Sequence, residues 1–125
     1  MSKQSQPKVL IIDDEPLLQE SEAEFAKLCG YDTVCATSAD EAIHLFLIQG
    51  PFKFIVCDFD LHGLSGVDLA VRIQNMANNK CPRIIMTSGS LQLLHDAIER
   101  SGLRVFKTFG KPYDAQEFMA ALEPY

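Results

Sequence analysis

The chain has 125 residues, 11 Lys and Arg against 17 Asp and Glu for a net charge of −6, and 47% hydrophobic residues. That length and apolar content describe one domain with a sizeable core, and 22% charged residues is too few for a disordered tail. The acidic balance, with its scattered basic residues, argues against direct binding to a nucleic acid backbone.

No apolar run approaches the roughly 20 residues that span a bilayer, and residues 1–8 lack the apolar segment that directs export. A cytoplasmic protein with no membrane association is expected. The cysteines, Cys29, Cys35, Cys57 and Cys81, form no CxxC pair and have no paired His spacing for zinc, so they read as free thiols.

In chain order, residues 1–7 read as a frayed, disordered terminus and residues 8–125 as the domain. A Val- and Ile-rich run predicts a first strand at residues 8–12, followed by the consecutive acids Asp13, Asp14 and Glu15. Residues 15–29 carry a first helix ending at Gly30, and residues 32–36 a second strand. Ser38 with Glu41 is a capping-box pattern that opens a helix through about Gln49, where Gly50 stands as a candidate left-handed terminator. A third strand is predicted at 54–57, a helix at 66–76, a fourth strand at 83–86 and a helix at 91–100 with Leu91, Leu94 and Ile98 on one face and Gly102 as its stop. The fifth strand is predicted at 104–109. Asp114 and Glu117 form a second capping box, and Ala115, Phe118, Met119 and Leu122 make an apolar stripe on the last helix. Met76, Met86 and Met119 read as core filler.

This alternation predicts an α/β fold: a doubly wound, five-stranded parallel sheet with five helices covering both faces and right-handed crossovers. In such sheets polar chemistry gathers beyond the carboxyl ends of the strands. Those positions hold Asp13 and Asp14, then Asp58 with Asp60, then Thr87 and Ser88, and last Lys111 followed by Pro112. Thr37 and Ser38, after the second strand, read as a helix cap only. Converging carboxylates raise one another's pKa unless a cation sits among them, and an oxygen-only ligand set suits Mg²⁺. Lys111 offers a compact positive charge and Thr87 a hydroxyl to a phosphoryl oxygen, which completes a phosphoryl-transfer site.

From residue 8 to residue 122 the chain resembles the receiver domain of two-component response regulators. The acidic pair in VLIIDDEP, Asp58 in FIVCDFDLHGLSG with Gly66 following, the Thr and small residue in RIIMTSG, and Lys111-Pro112 carry the likeness. It implies a flavodoxin-like sheet in the order 2-1-3-4-5 and a signalling domain that catalyses its own phosphorylation and dephosphorylation. By the same likeness Asp58 accepts a phosphoryl group from a sensor histidine kinase or histidine phosphotransfer protein. Asp14, Asp58 and the backbone carbonyl of Asp60 would bind Mg²⁺, Asp13 would hold metal-bound water, and Thr87 and Lys111 would contact the phosphoryl group. The signal would pass to a downstream protein or a fused output domain. A receiver-like scaffold that is never phosphorylated is the plainer alternative, and the presence of all five site residues speaks against it.

Two positions depart from the family pattern. His62 stands where a Pro is usual; it could approach a ligand or titrate near neutrality, although a loop His is more often solvated and idle. Thr108 replaces the aromatic residue that family members couple to the Thr87 hydroxyl, so output is expected to use a different surface or lever. Asp60 gives a DFD pattern that also resembles the DxD of haloacid-dehalogenase-type phosphatases, but here the acidic pair precedes it, contrary to that family's order. Asp60, Ser88, Gly89 and Thr108 are therefore read as modulators, with Asp60 orienting attacking water and Gly89 leaving its approach open.

Overall fold

The computed structural model describes residues 6–62, 64–77 and 81–122. Most of the expected frayed terminus, residues 1–5, lies outside the described residues, as do the last three positions of the expected domain.

The elements follow in the order β1 (Lys8–Ile12), α1 (Pro16–Leu28), β2 (Asp32–Ala36), α2 (Ala39–Gln49), β3 (Phe54–Asp58), β4 (Asp60–Leu61), β5 (Leu64–Ser65), α3 (Gly66–Ala77), β6 (Arg83–Ser88), α4 (Leu91–Ser101), β7 (Lys107–Gly110) and α5 (Ala115–Leu122). Five strands form one parallel sheet in the order β2-β1-β3-β6-β7, which is the expected 2-1-3-4-5 order of the main-sheet strands. The short pair β4 and β5 makes a separate antiparallel hairpin between β3 and α3, an element the sequence reading did not anticipate.

Strand periodicity explains the two cores. Alternate side chains of a strand point to opposite faces, and a sheet covered on both sides needs apolar residues at every position. Leu10, Ile12, Ile55, Cys57, Ile84 and Met86 pack on the face that holds α2, α3 and α4. Val9, Ile11, Phe54, Val56, Ile85 and Phe109 pack on the other, against Ala23 and Ala26 of α1 and Phe118 and Leu122 of α5. The stripe on α5 thus meets the sheet: Phe118 and Leu122 are fully buried, each a contribution of about 1.5–3 kcal/mol. The Tyr31 hydroxyl donates to the Leu122 carbonyl at 2.7 Å and ties the end of α5 to the start of β2.

Several boundaries differ from expectation. The fifth strand begins at Lys107 rather than residue 104, because the Arg104 backbone is bonded at both its N–H and its carbonyl by the Gln74 side chain of α3, at 3.1 and 3.0 Å. Strands β3 and β6 run on to Asp58 and Ser88, so Asp58, Thr87 and Ser88 are held within ladders rather than in loops. Gly30 and Gly102 take the left-handed conformation at φ 95° and 73°, whereas Gly50 is not left-handed, at φ −64°. The Ser38 hydroxyl caps α2 by accepting from the Glu41 N–H, but the Asp114 carboxylate accepts from Gln116 rather than from Glu117. Met86 is core, while Met76 is 39% exposed, as is Leu91 on the expected apolar face of α4. Phe109 is buried and its neighbour Phe106 is partly exposed beneath Arg83, whose guanidinium carbon lies 4.8 Å from the ring centroid. All four cysteines are free, with Cys29 and Cys57 buried and Cys35 exposed.

Gly66 opens α3 where the chain turns back beneath the end of β3. Its N–H donates to the Phe59 carbonyl at 2.7 Å, and a Cβ there would fall 2.0 Å from the Asp58 carbonyl oxygen. Gly66→Ala should therefore destabilise the fold by about 2 kcal/mol or more, read by urea denaturation. Gly89→Ala, where a Cβ meets nothing within 4 Å, should change stability little. Equal stability for the two variants would contradict this packing.

Candidate functional site

The acidic pair sits where β1 leaves the sheet. The Asp13 N–H donates to the Ala36 carbonyl at 3.2 Å, and the Gln19 side chain of α1 donates to the carbonyls of Asp13 and Ala36 at 3.2 and 2.8 Å. These bonds fix the ends of β1 and β2 against α1. Asp13 Oδ1 accepts the Glu15 N–H at 2.9 Å, while Oδ2, also buried, has no hydrogen-bond partner among the described residues. Asp58 ends β3, beside β1 in the sheet, and its register partner on β6 is Thr87.

Lys111 reaches in from the turn after β7, whose start is set by a 2.8 Å bond from the Lys111 N–H to the Ser88 carbonyl. Its ammonium lies 3.1 Å from Asp58 Oδ1, 3.4 Å from Glu15 Oε1 and 3.8 Å from Asp13 Oδ2. Asp13, Asp14 and Asp58 each offer an oxygen within 4.8 Å of the others. Asp13, Asp14, Asp58 and Lys111, drawn from three strand ends, therefore meet in one pocket.

Burial dominates the electrostatics. It pushes the Asp58 carboxyl up to about 6, helped by the Asp13 charge and opposed by Lys111 and the Asp60 N–H. The Asp13 carboxyl is also raised, first by burial and then by Glu15 and Asp14. Burial alone would lower the Lys111 ammonium, but the hydrogen bond to Asp58 and the charges of Asp13, Asp58 and Glu15 hold it above its ordinary value. One ammonium among these acids leaves the pocket short of positive charge. A divalent cation fits this donor set: three carboxylates each bring an oxygen close enough to share it, and Asp13 has a buried oxygen, Oδ2, without a hydrogen-bond partner among the described residues.

The remaining expected residues divide. Thr87 is fully buried and its hydroxyl has no partner, so that donor is free within the protein interior. The Ser88 hydroxyl is engaged in its own turn, donating to the Ser90 carbonyl and accepting the Ser90 N–H, both at 3.0 Å. Gly89 leaves open space around its Cα. Asp60 is exposed in β4 and its N–H donates to Asp58 Oδ1 at 3.4 Å. Thr108 is joined to α4 instead of the pocket, through a 3.0 Å contact with His95 Nε2. His62, read as a solvated loop residue, is exposed but pairs through Nδ1 with the Asp14 carboxylate.

Sequence reasoning missed a buried acid. Glu22 of α1 is fully buried and accepts a hydrogen bond from the Tyr113 hydroxyl, while its other oxygen has no partner. It shares the buried face of α1 with Ala23 and Ala26, so helical spacing alone would have placed it in the core. The His62 pairing with Asp14 spans 48 residues and carries no local pattern.

The doubly wound sheet thus carries an acidic pair, a third acid, a hydroxyl and a lysine at its strand ends. The family model described as the response regulator receiver domain matches residues 9–123, and the chain belongs to that family. Among curated proteins it is 27% identical over 120 residues to the transcriptional regulatory protein CrdR of Helicobacter pylori, covering 96% of this chain and 55% of that protein. The chain covers 55%, 42% and 10% of the lengths of the three curated relatives it matches, CrdR, the response regulator PprB of Pseudomonas aeruginosa and the sensor protein TorS of Escherichia coli. Among solved structures, a CheY-like receiver domain protein from Methanospirillum hungatei JF-1 superposes with a TM-score of 0.81 at 20% identity, over 94% of this chain and 91% of that one. A response regulator protein from Burkholderia pseudomallei, solved with a phosphorylated aspartic acid, a calcium ion and citrate, gives a TM-score of 0.77 at 26% identity over 94% of this chain and 66% of that one. No helix among the described residues is long and apolar enough to cross a membrane.

Burial raises the Glu22 carboxyl from its ordinary 4.5 to about 8. Between those values the folded chain holds a proton that the unfolded chain has released, so stability falls as pH rises through that window. Glu22→Gln should flatten the loss of Tm between pH 5 and pH 8 and melt above the parent at pH 8. An unchanged pH dependence in the variant would contradict the burial argument.

Proposed function

We propose that this chain is a phosphorylation-dependent signalling receiver in which Asp58 accepts a phosphoryl group from a phosphohistidine on a sensor histidine kinase or a histidine phosphotransfer protein. The observation that supports this most directly is the Asp58 carboxylate itself: buried at a strand end, 3.1 Å from the Lys111 ammonium and flanked by the acidic pair. The likeness to the Burkholderia response regulator, which was solved with a phosphorylated aspartic acid, supports this reading.

With its carboxyl raised only to about 6, Asp58 is a carboxylate at neutral pH and can act as the nucleophile. One Asp58 oxygen forms the bond to phosphorus as the bond from phosphorus to the histidine ring nitrogen breaks, and that nitrogen takes up a proton. Lys111 neutralises charge on the phosphoryl oxygens, and the partnerless Thr87 hydroxyl turns to donate to one of them. Asp14, Asp58 and the Asp60 carbonyl would hold Mg²⁺, with Asp13 acting through bound water. When bound, that ion supplies charge neutralisation for the transferring phosphoryl group. The protein's own part is positioning, since the groups already converge.

Movement of Thr87 toward the phosphoryl group would draw on the β6–α4 turn, where Ser88 and Ser90 are cross-bonded. Output then passes through this turn to a downstream protein or fused output domain, with Thr108 following α4 through His95. Hydrolysis would return the domain to its resting state, with the open space around Gly89 admitting water and the exposed Asp60 carboxylate acting as the base that orients it.

Incubation with a small-molecule phosphodonor and Mg²⁺, followed by intact-mass measurement, should give a single phosphoryl adduct that Asp58→Ala abolishes. An adduct that persists in Asp58→Ala would refute the choice of acceptor. Continuous phosphate release without an adduct would indicate a phosphatase, and neither signal would indicate a scaffold.

A further inference from the structure

The hairpin between β3 and α3 carries a group that an all-oxygen cation site does not need. Strands β4 and β5 pair Asp60 with Ser65 and Leu61 with Leu64, and buried Leu61 anchors the turn to the core. His62 follows at the turn, and its ring nitrogen Nδ1 meets Asp14 Oδ2. The His62 side chain is 94% exposed, so little packing holds the ring and the carboxylate is the partner that orients it.

Asp14 also belongs to the carboxylate cluster with Asp13 and Asp58, whose buried Asp13 Oδ2 is without a hydrogen-bond partner. The oxygens that lie within 4.8 Å of one another are those of Asp13, Asp14 and Asp58 alone; the exposed imidazole touches the edge of that set through Asp14 and would have to swing inward from it to join them. Hard Mg²⁺ prefers oxygen and keeps its waters, whereas imidazole is a good ligand for the later first-row divalent ions. The same histidine therefore acts differently toward the two classes of ion. Toward Mg²⁺ it is only a hydrogen-bonding neighbour of Asp14; toward a softer ion it can give up that bond and ligate.

We propose that His62 is an additional ligand at the acidic pocket, which makes this receiver discriminate in favour of imidazole-preferring divalent ions such as Ni²⁺ over Mg²⁺. This rests on the reading of Asp14 and Asp58 as cation ligands. Its chemical consequence is a pocket whose ion content follows the relative supply of these metals.

Calorimetric titration of the full chain with Mg²⁺ and with Ni²⁺ at one fixed pH tests the proposal. A Cys35→Ser background removes the exposed thiol as a competing ligand. His62→Ala should weaken Ni²⁺ by about tenfold or more while changing Mg²⁺ by less than about threefold. Zn²⁺ titrated into histidine-labelled protein should move the ring nitrogen resonances of His62 and leave those of His44 and His95 in place. If His62→Ala changes both affinities by the same factor, or the His62 resonances do not move, the proposal is overturned. Asp14→Asn separates the two levels: it should weaken both ions, and Mg²⁺ binding at the parent's affinity would overturn the cation site itself.

Discussion

The structure turns on an imbalance of charge. Parallel strands β1 and β3 lie side by side, and each ends in acid, so the sheet that forms the core also forces Asp13 and Asp58 into one buried pocket. Taking carboxylates out of water is costly unless they are paired and hydrogen-bonded, and Lys111 is one cation for Asp13, Asp58 and Glu15 together. The raised Asp58 and Asp13 carboxyls express that cost. A fold optimised for stability alone would not place them so. The proposed function gives the arrangement a use, as a site for incoming positive charge and for a phosphoryl group beside Lys111 and Thr87.

The fold was legible because its signals are local and mutually consistent. Val9, Ile11, Val56 and Ile85 read as strand, Ser38 with Glu41 reads as a helix start, and the alternation of the two element types leaves few topologies. The site was legible for a related reason: once the strands were placed, their carboxyl ends named Asp13, Asp14, Asp58, Thr87 and Lys111 without further information. What escaped depended on contacts between distant segments. The late start of β7 comes from Gln74 bonding the Arg104 backbone, 30 residues along the chain. The burial of Glu22 against Tyr113 and the pairing of His62 with Asp14 are likewise tertiary events. The β4–β5 hairpin was missed because strands of two residues carry no periodicity to detect.

Of the two departures from the family pattern, Thr108 lies away from the pocket, on the α4 side of β7, whereas His62 stands at its edge against Asp14. At Thr108 a small hydroxyl replaces an aromatic ring, and the space and bonding are used to tie β7 to α4 through His95. Asp58, the proposed acceptor, and the charged groups Asp13, Asp14 and Lys111 keep the family pattern, while His62 and Thr108 depart from it. Such a division follows from the physics: phosphoryl chemistry tolerates little variation in position and charge, whereas an output surface must match only its partner.

On the proposed function the strand-end carboxylates form a cation site, and their unbalanced charge weakens the fold while it is empty. Thermal denaturation at neutral pH with increasing Mg²⁺ tests it most directly, because a ligand that binds only the folded state stabilises in proportion to the logarithm of its concentration once the site is saturated. Tm should climb with Mg²⁺ in the parent chain, and Asp13→Asn should melt higher without the ion and rise less with it. A parent Tm that stays constant across millimolar Mg²⁺, or an Asp13→Asn variant that melts lower than the parent without the ion, would contradict it.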